Sequence, residues 1–564
     1  MTLFEQILTA RGLIDDESRK RFLEPDYELT RHDPFLLPDM KAAVDRLEQA
    51  RGKQEKITIY GDYDIDGLTA STVLIDAFES FGFEKVDVFI PNRFVEGYGL
   101  TVDAVERIAA TGSTLVVTVD CGSLSEKEIV RAGELGVDII VTDHHNVAPK
   151  QPPAVAVINP KRLLQDYPDD YDGYLLKESS KQQGEIYPFV DLAGVGVAFK
   201  LVQALQTQLD GLSEGHEKWL LDLVALGTVC DIVTLVDENR ASVYWGLKVM
   251  ARTRRPGIKA LMAVSRVEPD KLTARSLGFG LGPRMNAAGR LETAKYALDM
   301  LRAEEPDLAL EKAQELDEMN LARRAEQDRI FEEAKQQAEK FTKDKVLVVS
   351  NKNWSHGIIG IVAAKLLEKY KKPTYVLEDM GEEAKGSARS FGDFSVADAI
   401  RAADDIIIKG GGHKMAAGVT LESAKIDAFR KRVNQFYQSQ GLVNQEAHLL
   451  PKADVELDGL EAIVEQLVED LAKLEPFGNG NPEPVLKISQ VTIVGVRRMG
   501  VDGQHVKLSL RDEKNFTLQV LAFNAPEHFF AEVGDQVSVW FQPTINEWNG
   551  SRSVEGRLLH LEKA

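Results

Sequence analysis

Cysteine is nearly absent: Cys121 and Cys230 are the only two in 564 residues. That is too few for a disulfide framework and fits a reducing compartment. No run of about 18 apolar residues occurs, and the start, MTLFEQILTARGLIDDE, lacks the basic-then-apolar order of a signal peptide. Neither secretion nor membrane spanning is expected. Basic excess is missing too. The 89 Asp and Glu against 68 Lys and Arg give a net charge of −21, which argues against a broad basic nucleic-acid surface. There is no low-complexity tract and no repeat of fixed period. What is present, 44% apolar and 28% charged residues, suits a globular protein of three or four domains.

From 56 to 146 short β-branched runs at 57–60, 115–119 and 139–142 alternate with helical stretches at 70–81 and 125–135. Runs that are apolar on both faces predict a parallel sheet covered by helices. Each ends in an aspartate (Asp62, Asp120, Asp143), and ligands of open parallel sheets sit beyond the carboxyl ends of the strands. Residues 159–183 read as an irregular surface insertion, and a helical core pattern over 217–235 leads into Asp231. A polar stretch at 307–341, without Gly or Pro, predicts a connecting helix of roughly 50 Å; the alternative is a solvated coiled-coil arm. A second α/β unit follows to about 440. Short alternating strands over 484–564 predict a small closed barrel, and the first 45 residues read as helices beside the first α/β lobe.

Chemistry concentrates at two clusters. GDYDIDG places Asp62, Asp64 and Asp66 directly after a strand, and clustered carboxylates are costly unless a cation neutralises them. An EF-hand is excluded, since its twelfth position is Val73. Taken alone, the cluster reads equally as a solvated acidic turn. The second cluster, Asp143-His144-His145, follows the next strand but one. Mixed carboxylate and imidazole donors suit Mn²⁺, Mg²⁺ or Fe²⁺ better than structural zinc. Six aspartates (62, 64, 66, 120, 143, 231) and two histidines suffice for two metals, and such a pair can activate water for in-line displacement at phosphorus. Cys121 and Cys230 flank two of the aspartates; small packing residues are the expectation, thiolate ligands or nucleophiles the alternative.

Seven ordered stretches, GDYDIDGLTAS, VVTVDCGS, VTDHHN, VALGTVCDIVTL, GFGLGPRMNAAGR, KGGGHKMAAG and LEPFGNGNPEP, span about 59–482. By them the chain resembles the DHH phosphoesterase superfamily, and within it the RecJ-type single-stranded-DNA exonucleases. The resemblance implies an α/β fold: a DHH domain with a parallel sheet, a long connecting helix, a DHHA1 α/β domain and a C-terminal all-β OB-fold. The expected limits are 1–45 for an N-terminal helical extension, 46–300 for DHH, 301–341 for the helix, 342–440 for DHHA1, and 441–564 for a helical linker and OB-fold. Asp64, Asp66, Asp120, His144 and Asp231 are the implied ligands of two Mn²⁺ or Mg²⁺ ions, with Asp62, Asp143 and His145 as additional ligands or as groups that orient the ligands, Asp143 being counted with the metal set. Asp62, His145 and His413 are the implied catalytic groups, the last following a glycine-rich turn, Gly410–412, that admits a phosphate.

A 5′ end needs a phosphate pocket. Its candidates are Arg93, Arg284, Arg290, Ser387 and Arg389, because guanidinium meets phosphate oxygens bidentately. In the barrel segment 481–564, nine Lys and Arg face ten Asp and Glu. Its candidate DNA contacts are Arg497, Arg498, Lys507, Arg511 and Trp548, the last expected to be exposed. Phe516, Phe523 and Trp540 are available for base stacking as well, or equally serve as barrel core. The activity implied is metal-dependent 5′-to-3′ hydrolysis of single-stranded DNA to 5′-mononucleotides, in recombinational and mismatch repair. Implied partners are single-stranded DNA, the single-stranded-DNA-binding protein and a RecQ-type helicase. The setting implied is a bacterial cytoplasmic monomer with no membrane association. The alternatives are a DHH hydrolase of short oligonucleotides or cyclic dinucleotides, and a non-catalytic DNA-binding scaffold.

Overall fold

Five strands, β1 (Ile57–Gly61), β2 (Val86–Phe89), β3 (Leu115–Val119), β4 (Asp138–Thr142) and β5 (Ala156–Ile158), form an all-parallel sheet in the order β2-β1-β3-β4-β5. Every residue of β1 and β3 is buried, which is why their Ile and Val runs show no alternation. The strand order reverses between β1 and β3, so the crevice beyond their carboxyl ends is the topological switch point of the sheet. Asp62 and Asp120 follow these two strands. The helix Ile65–Ser80 is buried on nearly all sides, packed against the helices Gly194–Gln206 and Leu221–Cys230. Its first turn is capped by Asp64, whose carboxylate accepts from Gly67 N at 3.1 Å.

The computed structural model describes every residue except Asn444, Asn549 and Ala564, and omits the side chains of His528 and Trp548. The chain divides into two units, Met1–Asp317 with Ala453–Ala564, and Glu318–Lys452. The 33-residue helix Pro306–Ala338 runs from the first unit into the second. Its buried stripe begins Ala309, Ala313, Leu316 and ends Ile330, Ala334, Ala338, with the polar Asn320, Arg323 and Gln327 between them. Among the described residues no helix is long and apolar enough to cross a membrane.

The first unit also holds the C-terminal barrel. A small hairpin, β6 (Tyr171–Asp172) with β7 (Leu175–Leu176), falls inside the stretch read as irregular, and Tyr171 Oη donates to Tyr187 O at 2.6 Å. In the second unit β8 (Leu347–Asn351), β9 (Thr374–Asp379), β10 (Glu383–Arg389), β11 (Ile407–Gly412) and β12 (Ala416–Glu422) form a mixed sheet, β11-β12-β10-β9-β8. Only β8 and β9 pair in parallel. Ala384 and Ala388 face a core built on Phe394 and Phe429.

The barrel is β14 (Leu486–Met499), β15 (His505–Arg511), β16 (Thr517–Ala522), β17 (Gln536–Trp548) and β18 (Ser551–Lys563), with β13 (Val455–Leu457) added beside β14. It closes through β14–β17 pairing and a parallel β16–β18 pair, an OB-fold.

The N-terminus departs from expectation. The helix Leu3–Ala10 packs on the barrel, not on the DHH sheet, burying Ile7 and Leu8 among Leu457, Leu460 and Leu486. Eight residues form no stable helix alone. Burying two such side chains contributes about 1.5–3 kcal/mol each, and the Arg11 guanidinium adds contacts to Asp454, Asn481 and Pro482 O at 2.8 Å. The helix Met40–Gly52, by contrast, packs on the DHH lobe beside β5.

Candidate metal centre

Three groups of donor atoms lie at the switch point: Asp62, Asp64 and Asp120; Asp66, His144 and Asp231; and Asp120, His144 and His145. Within each group the ligand atoms are within 4.8 Å of one another. Asp120 and His144 each belong to two groups, so the sets interlock. His144 Nε2 stands 3.1 Å from Asp120 Oδ1, 3.5 Å from Asp231 Oδ2 and 3.7 Å from Asp66 Oδ2. Asp120 takes a left-handed backbone (φ +61°), uncommon for a residue with a Cβ and a sign of local strain.

The donors fit divalent cations. Asp62 Oδ1, Asp120 Oδ1 and His144 Nε2 are buried and make no hydrogen bond, a state that buried polar atoms rarely tolerate. Two carboxylates about 4 Å apart repel by roughly 4 kcal/mol at an effective dielectric near 20. Without a cation the acids therefore resist ionising. Burial first, then the charge of Asp64, pushes Asp62 up to about 8 and Asp66 up to about 7. Burial and the charges of Asp66 and Asp64 push Asp231 up to about 9. Asp120 is raised strongly by burial and by the surrounding aspartates. Burial, then the charge of His145, holds His144 down to about 3, leaving a neutral imidazole suited to metal.

Asp143 stands apart from the three donor groups. Burial alone would raise its pKa, but the hydrogen bond from His145 and the charges of both histidines hold it well below the carboxylate range. Its oxygens accept from Ser123 N (2.9 Å), His144 N (2.7 Å), His145 N (3.1 Å) and His145 Nδ1 (2.9 Å). Of its two sequence readings, ligand or orienting group, these bonds favour the second: three of the four N–H groups fall on Oδ1 and the His-His pair supplies all three. Asp62 and His145, read as catalytic, sit among the donor groups. Tyr98 Oη lies 3.2 Å from His145 Nδ1, and Asn159 Nδ2 donates to His145 O at 2.9 Å.

Sequence reasoning missed the groups that hold Asp66. Gly194 N and Val195 N, at the start of the helix Gly194–Gln206, donate to its Oδ2 and Oδ1 at 2.6 and 2.8 Å. A Cβ on Gly194 would lie 2.7 Å from Asp120 Cβ and 2.9 Å from Asp66 Oδ2. The signal was the glycine pair in DLAGVG, which marks a close backbone approach. Cys121 is buried behind the site and its thiol is pushed well up by burial; burial also raises Cys230, which abuts Leu277 O. Neither joins a donor group among the described residues, and burial keeps both as thiols, which suits packing.

The phosphate candidates separate. Arg93 stacks on Tyr63, 4.6 Å from the ring centre. Arg284 is committed: its Nε pairs with Asp317 at 2.7 Å and its Nη1 donates to Gly280 O at 2.7 Å, so a guanidinium fork is no longer offered. Arg290 lies in the last turn of the helix Gly282–Leu291. In the second unit Ser387 and Arg389 share one face of β10, over Gly360 of the helix His356–Tyr370. Among the described residues Arg389 Nη1 donates to the carbonyl of Ala388 alone, and burial lowers the guanidinium pKa. Gly410–412 form part of strand β11, not a turn, and the exposed His413 follows them. A Cβ on Gly410 would strike Ile400, so tight packing accounts for that glycine.

On the barrel Arg497, Arg498 and Arg511 are exposed, with Arg498 over the Phe530 ring. Lys507 is spent on Glu555 at 2.7 Å. Of the two readings left open for them, Phe516 (48% exposed) and Phe523 (66%) face solvent: Phe516 sits in the turn ahead of β16, its N–H donating to Asp512, and Phe523 follows the inward Ala522 at the strand's end. Trp540 packs on His560 and Lys487. The Trp548 side chain lies outside the described residues.

Models of known families match at 56–228 (DHH family, N-terminal domain), 343–439 (DHHA1 domain) and 453–560 (RecJ OB domain). Single-stranded-DNA-specific exonuclease RecJ of Bacillus subtilis (strain 168) is 36% identical over 98% of this chain and 67% of its own length. That of Escherichia coli (strain K12) is 33% identical over 92% and 89%. The crystal structure of RecJ in complex with Mn²⁺ from Thermus thermophilus matches with a TM-score of 0.81, at 29% identity over 99% of this chain and 75% of that one. Fold and matches together define a DHH-type protein with DHHA1 and OB domains. Within that class, the chain belongs to the RecJ family.

Proposed function

We propose that this chain is a metal-dependent, single-stranded-DNA-specific 5′-to-3′ exonuclease that releases 5′-mononucleotides. One observation carries the reading: three interlocked donor groups at the switch point, sharing Asp120 and His144, with buried donor atoms that no described residue satisfies. Asp62, Asp64, Asp66, Asp120, His144 and Asp231 would hold two Mn²⁺ or Mg²⁺ ions, with His145 beside Asp120. Such a pair supplies Lewis acidity and an activated water for in-line displacement at phosphorus. The chain does the rest. The Gly194 and Val195 amides fix Asp66, and Asp143 holds the His145 ring through Nδ1.

In the second unit Arg389 and Ser387 would receive a 5′ phosphate, a role supported by a half-buried guanidinium with no carboxylate partner among the described residues. His413 would donate to the scissile phosphate. Arg497, Arg498, Phe516 and Phe523 would carry the strand on the barrel by charge and base stacking. Membership of the RecJ family supports a cytoplasmic repair role, as a monomer, beside a single-stranded-DNA-binding protein and a RecQ-type helicase.

The test is single-stranded DNA labelled at its 5′ end, incubated with Mn²⁺, with either the 5′ or the 3′ end blocked. Early release of labelled mononucleotide, abolished by the 5′ block and by Asp120→Ala, is expected. Equal turnover with both blocks, or activity no higher than that of Asp120→Ala, would overturn it.

A further inference from the structure

The LEPFGNGNPEP stretch, just ahead of the barrel, has no role in the reading above. It lies against the short loop that follows Asp231. Asn479 Nδ2 donates to Ile232 O at 3.0 Å, and Leu235 N donates to Asn479 O at 2.7 Å. The pair of bonds grips both ends of the segment 232–235. A Cβ on Gly478 would come within 2.6 Å of Leu235 Cδ1, and Gly480, at φ +73°, rests on Thr234.

The gripped loop is strained. Ile232 is β-branched yet takes a left-handed backbone (φ +64°), a conformation that costs about 1–3 kcal/mol and persists only where its surroundings enforce it. Its side chain is 70% exposed, so side-chain packing does not enforce it. On the other side, Asp191 Oδ2 accepts from Thr234 N and Oγ1 at 2.9 and 2.7 Å. Asp231 N and Ile232 N close the preceding helix, donating to Gly227 O and Val229 O at 2.9 and 3.3 Å, and the Ile232 carbonyl is held by Asn479.

The clamp itself is anchored on both sides of the first unit. Arg240, on the helix after the loop, is buried and donates to Leu474 O and Glu475 O at 2.9 and 2.8 Å. Asn481 Nδ2 donates to Leu474 O and Pro476 O, both at 2.9 Å.

We propose that Asn479 is a positioning residue for the metal centre: by holding Ile232 in its strained conformation it fixes the carboxylate of Asp231, and so ties the lead-in of the OB domain to cation affinity. This inference rests on the metal reading above and assigns Asn479 no contact with substrate. Removing partners that orient metal ligands typically weakens metal binding by about 10- to 100-fold. Asn479 is exposed, so the lower end applies.

The experiment is Mn²⁺ titration of the full chain, followed by the loss of free-Mn²⁺ EPR signal. Asn479→Ala and the isosteric Asn479→Asp are compared with Asp231→Asn and with Arg497→Ala. Both Asn479 variants should bind Mn²⁺ about 10-fold more weakly, with an unchanged circular dichroism spectrum and unchanged affinity for single-stranded DNA without metal. Raising Mn²⁺ should restore their kcat. Arg497→Ala should leave Mn²⁺ affinity unchanged. A midpoint within twofold of the wild type for both Asn479 variants would overturn the inference, as would a loss of kcat that saturating Mn²⁺ does not restore. Wild-type protein that bound Mn²⁺ without cutting DNA would overturn the proposed activity alone, the inference still being decided by the titration; wild-type protein that bound no Mn²⁺ would overturn both.

Discussion

Gly194 lies against Asp66 with no room between them: its amide donates to Asp66 Oδ2 at 2.6 Å, and a Cβ in its place would meet that same oxygen at 2.9 Å. The helix N-terminus at Gly194 thus offers two N–H groups to one carboxylate and leaves its remaining lone pairs to the cavity. Gly194→Ala should displace Asp66 or Asp120 by several tenths of an ångström. Mn²⁺ affinity should fall at least about 10-fold, with the melting temperature changed by only a few degrees. Isothermal titration beside a thermal melt checks this, and full Mn²⁺ affinity in Gly194→Ala would refute it.

Asp143 makes a different prediction, because it accepts four N–H groups and is no member of the donor sets. Asp143→Asn sets an amide NH₂ against donors. The cost of one unsatisfied buried donor is about 1–3 kcal/mol, and the His145 ring loses its anchor. The variant should keep its cations better than Asp120→Ala does, yet lose kcat. Metal content after dialysis, measured beside turnover, separates the two.

The acids of the centre predict a pH dependence. Without cations Asp62, Asp66 and Asp231 titrate near 8, 7 and 9, each raised first by burial. A carboxyl whose folded pKa is raised contributes stability below its unfolded pKa, near 4, and loses it as pH rises through the folded value. The metal-free protein should therefore become less stable between about pH 4 and 9. Cation binding must expel these protons, so Mn²⁺ affinity should climb across about pH 6 to 9. Calorimetric titration in two buffers of different ionisation enthalpy counts the protons released. Zero release at pH 6.5 would refute the scheme.

Much of the centre was legible because its chemistry is local in sequence. Asp62, Asp64 and Asp66 follow one strand, and His144 and His145 another, so strand ends and residue types sufficed. Gly194, Asn159 and Asn479 were not legible as partners of the centre, since each of their bonds has a backbone group at one end and spans 14 to 247 residues. The helix Leu3–Ala10 was misplaced for a related reason: amphipathic spacing shows that a face is buried, not against which core. Phe516 and Phe523 were left open between stacking and core, because the limits of β16, which leave Phe516 in a turn, do not follow from residue types. Net charge misled most. The −21 describes the whole chain, whereas contact with a phosphate depends on single guanidinium groups such as that of Arg389.

Arg389 and Arg284 were equal candidates by sequence, and their surroundings now divide them. Arg284 is closed into an ion pair with Asp317 and a bond to Gly280 O. Arg389 is half-buried and, among the described residues, bonded only to a neighbouring carbonyl, its pKa lowered by burial, and the Ser387 hydroxyl shares its face. A desolvated cation without a counter-ion gains most from an anionic ligand. Arg389→Ala should therefore reduce the preference for a 5′-phosphorylated over a 5′-hydroxyl strand by about 10-fold or more, given about 1.5–3 kcal/mol for a hydrogen bond to a charged group. Arg284→Ala should leave that ratio unchanged and lower stability by at most about 1 kcal/mol. Competition between the two strands, read as relative kcat/KM, decides the matter; an unchanged ratio in Arg389→Ala would remove the 5′ phosphate from this face of β10.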